Sequence, residues 1–255
     1  MSNYASHGRP LSADGLQRAL ALLEVAPAVL WSVLAVETGG CGYLKDRRPK
    51  LLFERHLFSH LTGGRFDATH PDISSRIPGG YGAAGAHQYD RLAMAESLAA
   101  DAALQSASWG LGQILGENHS AAGYPDARAM VDAFVASEDN QLLGMAHFVA
   151  SSPMKAALKA KDWAGFARRY NGPNYAANHY DAQLAAFCAR FNVHGCPDLN
   201  VRAAQAYLGY RGFDPGGVDG LTGPHTSAAL KAFQQGAGLP ITGAADPATL
   251  QALAA

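Results

Sequence analysis

Apolar residues recur at three- and four-residue intervals along most of this chain, and the spacing predicts helices. Ser12 or Asp14 suits the cap of a first helix through "LQRALALLEV", and Pro27 suits the first turn of a second that ends at Gly39-Gly40. From Asp46 to Gly85 the pattern breaks. An apolar knot, "LLFERHLF", precedes "HPDISSRIPGGYGAAG", whose glycines and prolines predict loops around short strands or turns. Helical spacing returns in "DRLAMAESLAADAALQSASW", "ARAMVDAFVASEDNQLLGMAHFVA", "MKAALKAKDWAGFARRY" and "HYDAQLAAFCARF". It continues in "VRAAQAYLGY" and "TSAALKAFQQGAGL", joined by "RGFDPGGVDGLTGPH". The chain is therefore expected to be mainly α.

Composition divides this helical run in two. Residues 1–195 carry 17 basic and 17 acidic side chains, whereas 196–255 carry 3 and 4 with clustered glycines. A domain boundary is expected between Asn192 and Leu199, giving domains 1–194 and 195–255. The second holds a faint internal echo, since "GGVDGLTGPHTSAAL" and "PITGAADPATLQAL" both read turn, threonine, helix. With 255 residues, 48% hydrophobic, the chain can bury one sizeable core and a small second one.

The formal net charge of −1, with basic residues scattered, gives no electrostatic basis for holding nucleic acid or an anionic membrane. A monomer without stable membrane insertion is expected, because no stretch reaches 18 uncharged apolar residues. Cys41, Cys188 and Cys196 show no metal-finger spacing and read as reduced thiols. "MSNYASHGRPLSADG" lacks a basic segment followed by an apolar one, so accumulation in the cytoplasm before release by some other agent is expected.

One charge sits in an unexpected place. In "LWSVLAVETGGCG", Leu30, Val33, Leu34 and Glu37 follow the i, i+3, i+4, i+7 rule, which sets Glu37 on the apolar stripe at a helix C-terminus. Desolvation and the negative end of the helix both disfavour the carboxylate, so its pKa should rise. A carboxyl that keeps its proton near neutral pH can act as a general acid. The alternative is a side chain bent into solvent at a frayed helix end.

"ETGG", then "SWGLGQILG" about 70 residues on, then "RRYNGPNY" form an ordered set that resembles the lysozyme-like superfamily. Together with "LLFERHLF" they look like the N-acetylmuramidase domain of modular phage endolysins, over residues 12–191. The tail resembles the three-helix peptidoglycan-binding module of cell-wall hydrolases through Val201, Gln205, Leu208, Val218-Asp219-Gly220, Thr226, Phe233-Gln234, Thr242-Gly243 and Thr249. In that module Gly220 and Gly223 would supply the positive φ of a tight turn. The resemblance implies a lysozyme-like α-rich domain with a small irregular or β segment, followed by the three-helix module. It implies hydrolysis of the β-1,4 bond between N-acetylmuramic acid and N-acetylglucosamine in peptidoglycan, with no cofactor and no metal.

Carried onto this sequence, the resemblance makes Glu37 the acid. Gly110, Gln113 and Ile114 would form the cleft wall, Gln113 bonding sugar through its amide. Tyr170 and Asn171 would approach from the other side, and Trp109 suits either sugar stacking or the core. Glycoside hydrolysis commonly uses a second carboxylate. Glu54 leads because an apolar knot needs a reason to hold it, although Arg55 or His56 could simply pair with it. Asp46, Asp67 and Asp72 also lie in the irregular segment, and Asp181 reads as a helix-end residue. Rival readings are a lytic transglycosylase on the same bond, a non-catalytic wall-binding protein, and a zinc peptidase of the peptide stems. His56 and His60 are spaced i, i+4 for the last, but no HExxH is present.

Overall fold

The computed structural model describes residues 4–173 and 175–255. Ser12 accepts a hydrogen bond from the Gly15 N–H and starts α1 (Ala13–Leu23). Pro27 opens α2 (Pro27–Thr38), where its missing N–H would have had no partner in any case. Every residue from Ala28 to Leu34 is buried, so the expected stripe is part of a helix apolar all round. The irregular region condenses into β1 (Leu51–Phe53), α3 (Arg55–Leu61) and turns.

α4 (His87–Gln105) bends at Ala99, whose φ of −160° and ψ of 91° are not helical. The helix expected over "SASW" stops at Ser106, and β2 (Ala107–Trp109) follows. It pairs antiparallel with β1, Leu51 opposite Trp109, and with β3 (Ile114–Leu115), Trp109 opposite Ile114. Strand pairing and the burial of Trp109 override the local helical spacing there.

Two further stretches that read as single helices are each split by a cap. Ser137 is extended and accepts from the Asn140 N–H, separating α5 (Ala127–Ala136) from α6 (Glu138–Ala150). Lys161 is left-handed at φ 56° and Asp162 caps onto Gly165, separating α7 (Met154–Ala160) from α8 (Trp163–Tyr170). α9 (Tyr180–His194), α10 (Leu199–Tyr210), α11 (Pro224–Gly236) and α12 (Pro247–Ala254) complete the chain.

These elements gather into two compact units, and the division does not follow the compositional boundary. One unit runs to Arg9 and then takes Gly42–Ser152; the other takes Pro10–Cys41 and Pro153–Ala255. In the first, the sheet and α6 are keyed together by Gln141, which is fully buried. Its Oε1 accepts the Leu111 N–H at 2.7 Å and its Nε2 donates to Phe134 O at 2.8 Å. A Cβ on Gly110 would come within 2.7 Å of that amide, and one on Gly42 would overlap it. Both glycines are there because a side chain passes where theirs would be.

In the second unit α9 lies along α2, burying Leu184, Cys188 and Phe191. The tail has its own core of Ala204, Leu208, Leu230, Phe233 and Leu253. The sequence echo is a repeated polar lock. Gln205 accepts from the Gly220 N–H and donates to Asp219, Leu221 O and Thr226. Gln234 accepts from the Gly243 N–H and donates to Thr242, Ala244 O and Thr249. Gly220 and Gly243 have φ of 71° and 69°, but Gly223, expected to need a positive φ, has −107°. Gly223 is instead the extended N-cap of α11.

Each lock satisfies several groups that are shielded from water, so removing its glutamine strands them. Gln234→Leu should lower the unfolding free energy by about 2–4 kcal/mol, read by urea denaturation. A loss under about 0.5 kcal/mol would show that the loop finds other partners.

Candidate active site

Glu37 lies in the last turn of α2, and two left-handed glycines end that helix. The Gly39 N–H bonds to Ala35 O at 3.2 Å and the Gly40 N–H to Leu34 O at 3.0 Å, so the end is tied rather than frayed. Glu37 Oε1 accepts a 2.8 Å hydrogen bond from Asn171 Nδ2, at the C-terminus of α8. Burial disfavours the carboxylate; the Asn171 bond partly offsets this, and the pKa is pushed up to about 7. Tyr170, stacked on Phe166, and Tyr180 at the start of α9 both feel the Glu37 charge, and burial raises both phenols. Asn171 Oδ1 is sealed from solvent with no hydrogen-bond partner among the described residues.

Glu54 occupies a comparable setting in the other compact unit. It follows β1 at the N-cap of α3 yet makes no capping bond. Its carboxylate lies 3.2 Å from His56 Nδ1, and Tyr81 donates to it. Burial raises its pKa, against the pull of His56 and Tyr81. Arg55 turns away and donates to Pro71 O, so of the two partners considered for Glu54 it is His56 that stands beside it. A cavity of about 510 Å³ adjoins, lined by His56, His60, Ser59, Gly64 and Arg76. His56 and His60 share one face of α3, but no three His, Cys, Asp or Glu side chains among the described residues are grouped to hold a metal.

Three of the remaining acidic candidates, Asp67, Asp46 and Asp181, have structural work. Asp67 accepts from Ser59 and Ser74 and gathers the loop between them, and those bonds lower its pKa. Asp46 pairs with Arg48 at 2.6 Å, and Asp181 accepts from the Ala182 N–H at the start of α9.

Three cleft assignments are corrected. Trp109 is wholly buried, its Nε1 donates to Leu104 O, and its rings meet Tyr4 and Tyr89, so it is a core residue that offers no face to a sugar. Gly110 is filled over by Gln141, and Ile114 is 2% exposed, so neither forms a cleft wall. Gln113 is half-buried with φ of 48°, and its amide nitrogen donates to Gly110 O and Lys50 O. "SWGLGQILG" is thus a packed hairpin, with Gly112 against Met145 and Gly116 against Leu104.

The family model for N-acetylmuramidase matches residues 26–192. The chain belongs to the N-acetylmuramidase family. A second family model, a putative peptidoglycan binding domain, matches residues 197–253. Among solved structures, the Burkholderia AP3 phage endolysin is 41% identical over 72% of each chain, with a TM-score of 0.67. No curated protein matches. The chain is accordingly a glycoside hydrolase acting on peptidoglycan, built as an α-rich muramidase domain with a helical wall-binding module.

Sequence reasoning missed Tyr81 and Tyr180. Tyr81 lies in a glycine-rich loop with no periodicity, and Tyr180 is the first residue of its helix; neither position carries a pattern that marks it.

Burial of Glu37 has a thermodynamic consequence. The unfolded residue titrates near 4.5 and the folded one near 7, so between these values the folded muramidase holds a proton that the unfolded chain has released. The group's contribution to stability is complete below 4.5 and is lost as pH rises to 7, a loss of about 3 kcal/mol. Glu37→Gln mimics the protonated acid and should escape that loss. Its advantage over the parent in urea melts should grow by about 3 kcal/mol from acid to mildly alkaline pH. Parallel stability profiles for the two proteins would rule out a desolvated Glu37.

Proposed function

We propose that this muramidase is an endolysin whose Glu37 protonates the glycosidic oxygen between N-acetylmuramic acid and N-acetylglucosamine. The supporting observation is a carboxyl whose pKa is lifted to about 7 by burial, so that it holds a transferable proton near neutrality. Proton donation lets the sugar leave, charge develops on the anomeric carbon, and water completes the hydrolysis. Asn171 holds the acid through Nδ2, and its unpartnered Oδ1 is an acceptor for a sugar O–H or N–H. Tyr170 and Tyr180 stand within electrostatic reach of the carboxyl. Glu54 is the proposed second carboxylate, kept from solvent beside His56 and Tyr81. The module concentrates the enzyme on an insoluble substrate, and the phage endolysin likeness suits synthesis in a host cell and action on its wall.

Glu37→Gln should reduce turnover of purified peptidoglycan by roughly 10²–10⁴-fold. Activity of the parent should decline as pH rises through about 7, where the acid loses its proton. Products should carry reducing N-acetylmuramic acid ends; anhydro ends by mass spectrometry would identify a lytic transglycosylase instead. Parental activity in Glu37→Gln would remove Glu37 from the mechanism. Glu54→Gln should slow turnover without moving that pH limb, and unchanged turnover would dismiss Glu54.

A further inference from the structure

Among the described residues, Arg202 is the one charged side chain in the set of largest fully buried ones. It lies on α10 of the wall-binding module, yet it reaches beyond the module's own core. Its Nε donates to Gly40 O at 2.6 Å, and its guanidinium carbon stands 5.9 Å from the centre of the Trp31 ring. Gly40 comes three residues after Glu37, and Trp31 is on the same helix as the acid. The module touches that turn a second time, since a Cβ on Gly40 would lie 3.5 Å from Val218 O.

Burying a guanidinium is expensive unless its hydrogen bonds are met and its surroundings are fixed. A module joined only as a tether has no need for such an arrangement. Its natural place would be a charged residue facing water on α10. What Arg202 holds is the most permissive part of the catalytic helix. Gly39 and Gly40, at φ of 63° and 82°, have no side chain to fix the turn. Released, that turn would fray into the last helical residues, Glu37 included.

We propose that Arg202 of the wall-binding module is a positioning residue that clamps the Gly39-Gly40 turn and thereby sets the placement of the Glu37 carboxyl. The module is then part of the catalytic framework as well as a wall anchor. This inference rests on Glu37 being the acid. It separates positioning from anchoring, because a clamp acts on kcat even for a substrate that the module has no need to hold.

The test uses the full chain and soluble, peptide-free glycan strands, alongside cosedimentation with purified sacculi. Arg202→Met keeps the bulk and removes the donor. It should lower kcat roughly 10- to 100-fold, with KM within about twofold and cosedimentation retained. Arg202→Lys, able to donate to the same carbonyl, should recover most of that loss. Gly40→Ala strains the same turn from the catalytic side, its Cβ in ordinary contact with Val218 O, and should reproduce the loss in kcat with no residue of the module changed. It decides the matter if the methionine variant no longer cosediments. Parental kcat in Arg202→Met that still cosediments, or in Gly40→Ala, overturns the proposal, as does a loss that lysine fails to restore. An inactive Glu37→Gln beside an unaffected Arg202→Met would defeat the clamp alone, whereas an active Glu37→Gln would defeat the assignment of the acid.

Discussion

The desolvated carboxyl at the end of α2 is the constraint around which its half of the molecule is organised. α2 is buried on all sides from Ala28 to Leu34, so its direction is fixed by packing, chiefly against α9. Its last turn must then hold an acid that burial destabilises near neutral pH. Such a group persists only if the surroundings over-determine its position. Three features do this: the backbone bonds that close the helix at Gly39 and Gly40, the Asn171 amide on Oε1, and the buried guanidinium on Gly40 O. Stability is given up at this point so that a proton is kept.

The tail solves the opposite problem. A module of about 60 residues has little core, and its apolar cluster is accordingly small. It is fastened instead by two copies of one polar arrangement, in which a buried glutamine takes a glycine N–H and gives to a threonine hydroxyl and a loop carbonyl. A buried amide is favourable when its donors and acceptor are met, and both glutamines meet that condition. The threonines sit in the first turns of α11 and α12, so each lock ties a loop to the start of the helix that follows it.

This contrast explains what the sequence reveals. Periodicity and capping residues locate most helices, and the repeat in the tail is visible because the same residue types recur in the same order. Glu37 is legible because a charge among apolar residues is itself an anomaly. Several of the failures have a common cause, in that they depend on partners distant along the chain. Trp109 enters the core because β2 pairs with β1, more than fifty residues earlier. Gly110 and Gly42 owe their identity to Gln141, and no local pattern announces where Gln141 will pass. Ser137 and Lys161 divide single periodic stretches by a local cap and a change of backbone conformation, φ −163° at one and 56° at the other. Motifs can identify a family correctly while misassigning the work of their residues, and "SWGLGQILG" does both.

The distribution of satisfied and unsatisfied polar groups carries the argument one step further. Gln141, Gln205 and Gln234 are buried and fully engaged, and all three hold the architecture. Among the described residues, Asn171 Oδ1 is sealed from solvent without a hydrogen bond, as are Arg55 Nε and Arg91 Nε, whereas Glu54 Oε2 and His56 Nδ1 face each other at 3.2 Å. Of these, Asn171 is the residue that bonds Glu37, whose pKa burial raises. An unmet amide oxygen beside the proposed acid is capacity suited to a polar ligand, and a sugar rich in hydroxyl and acetamido groups offers donors of that kind.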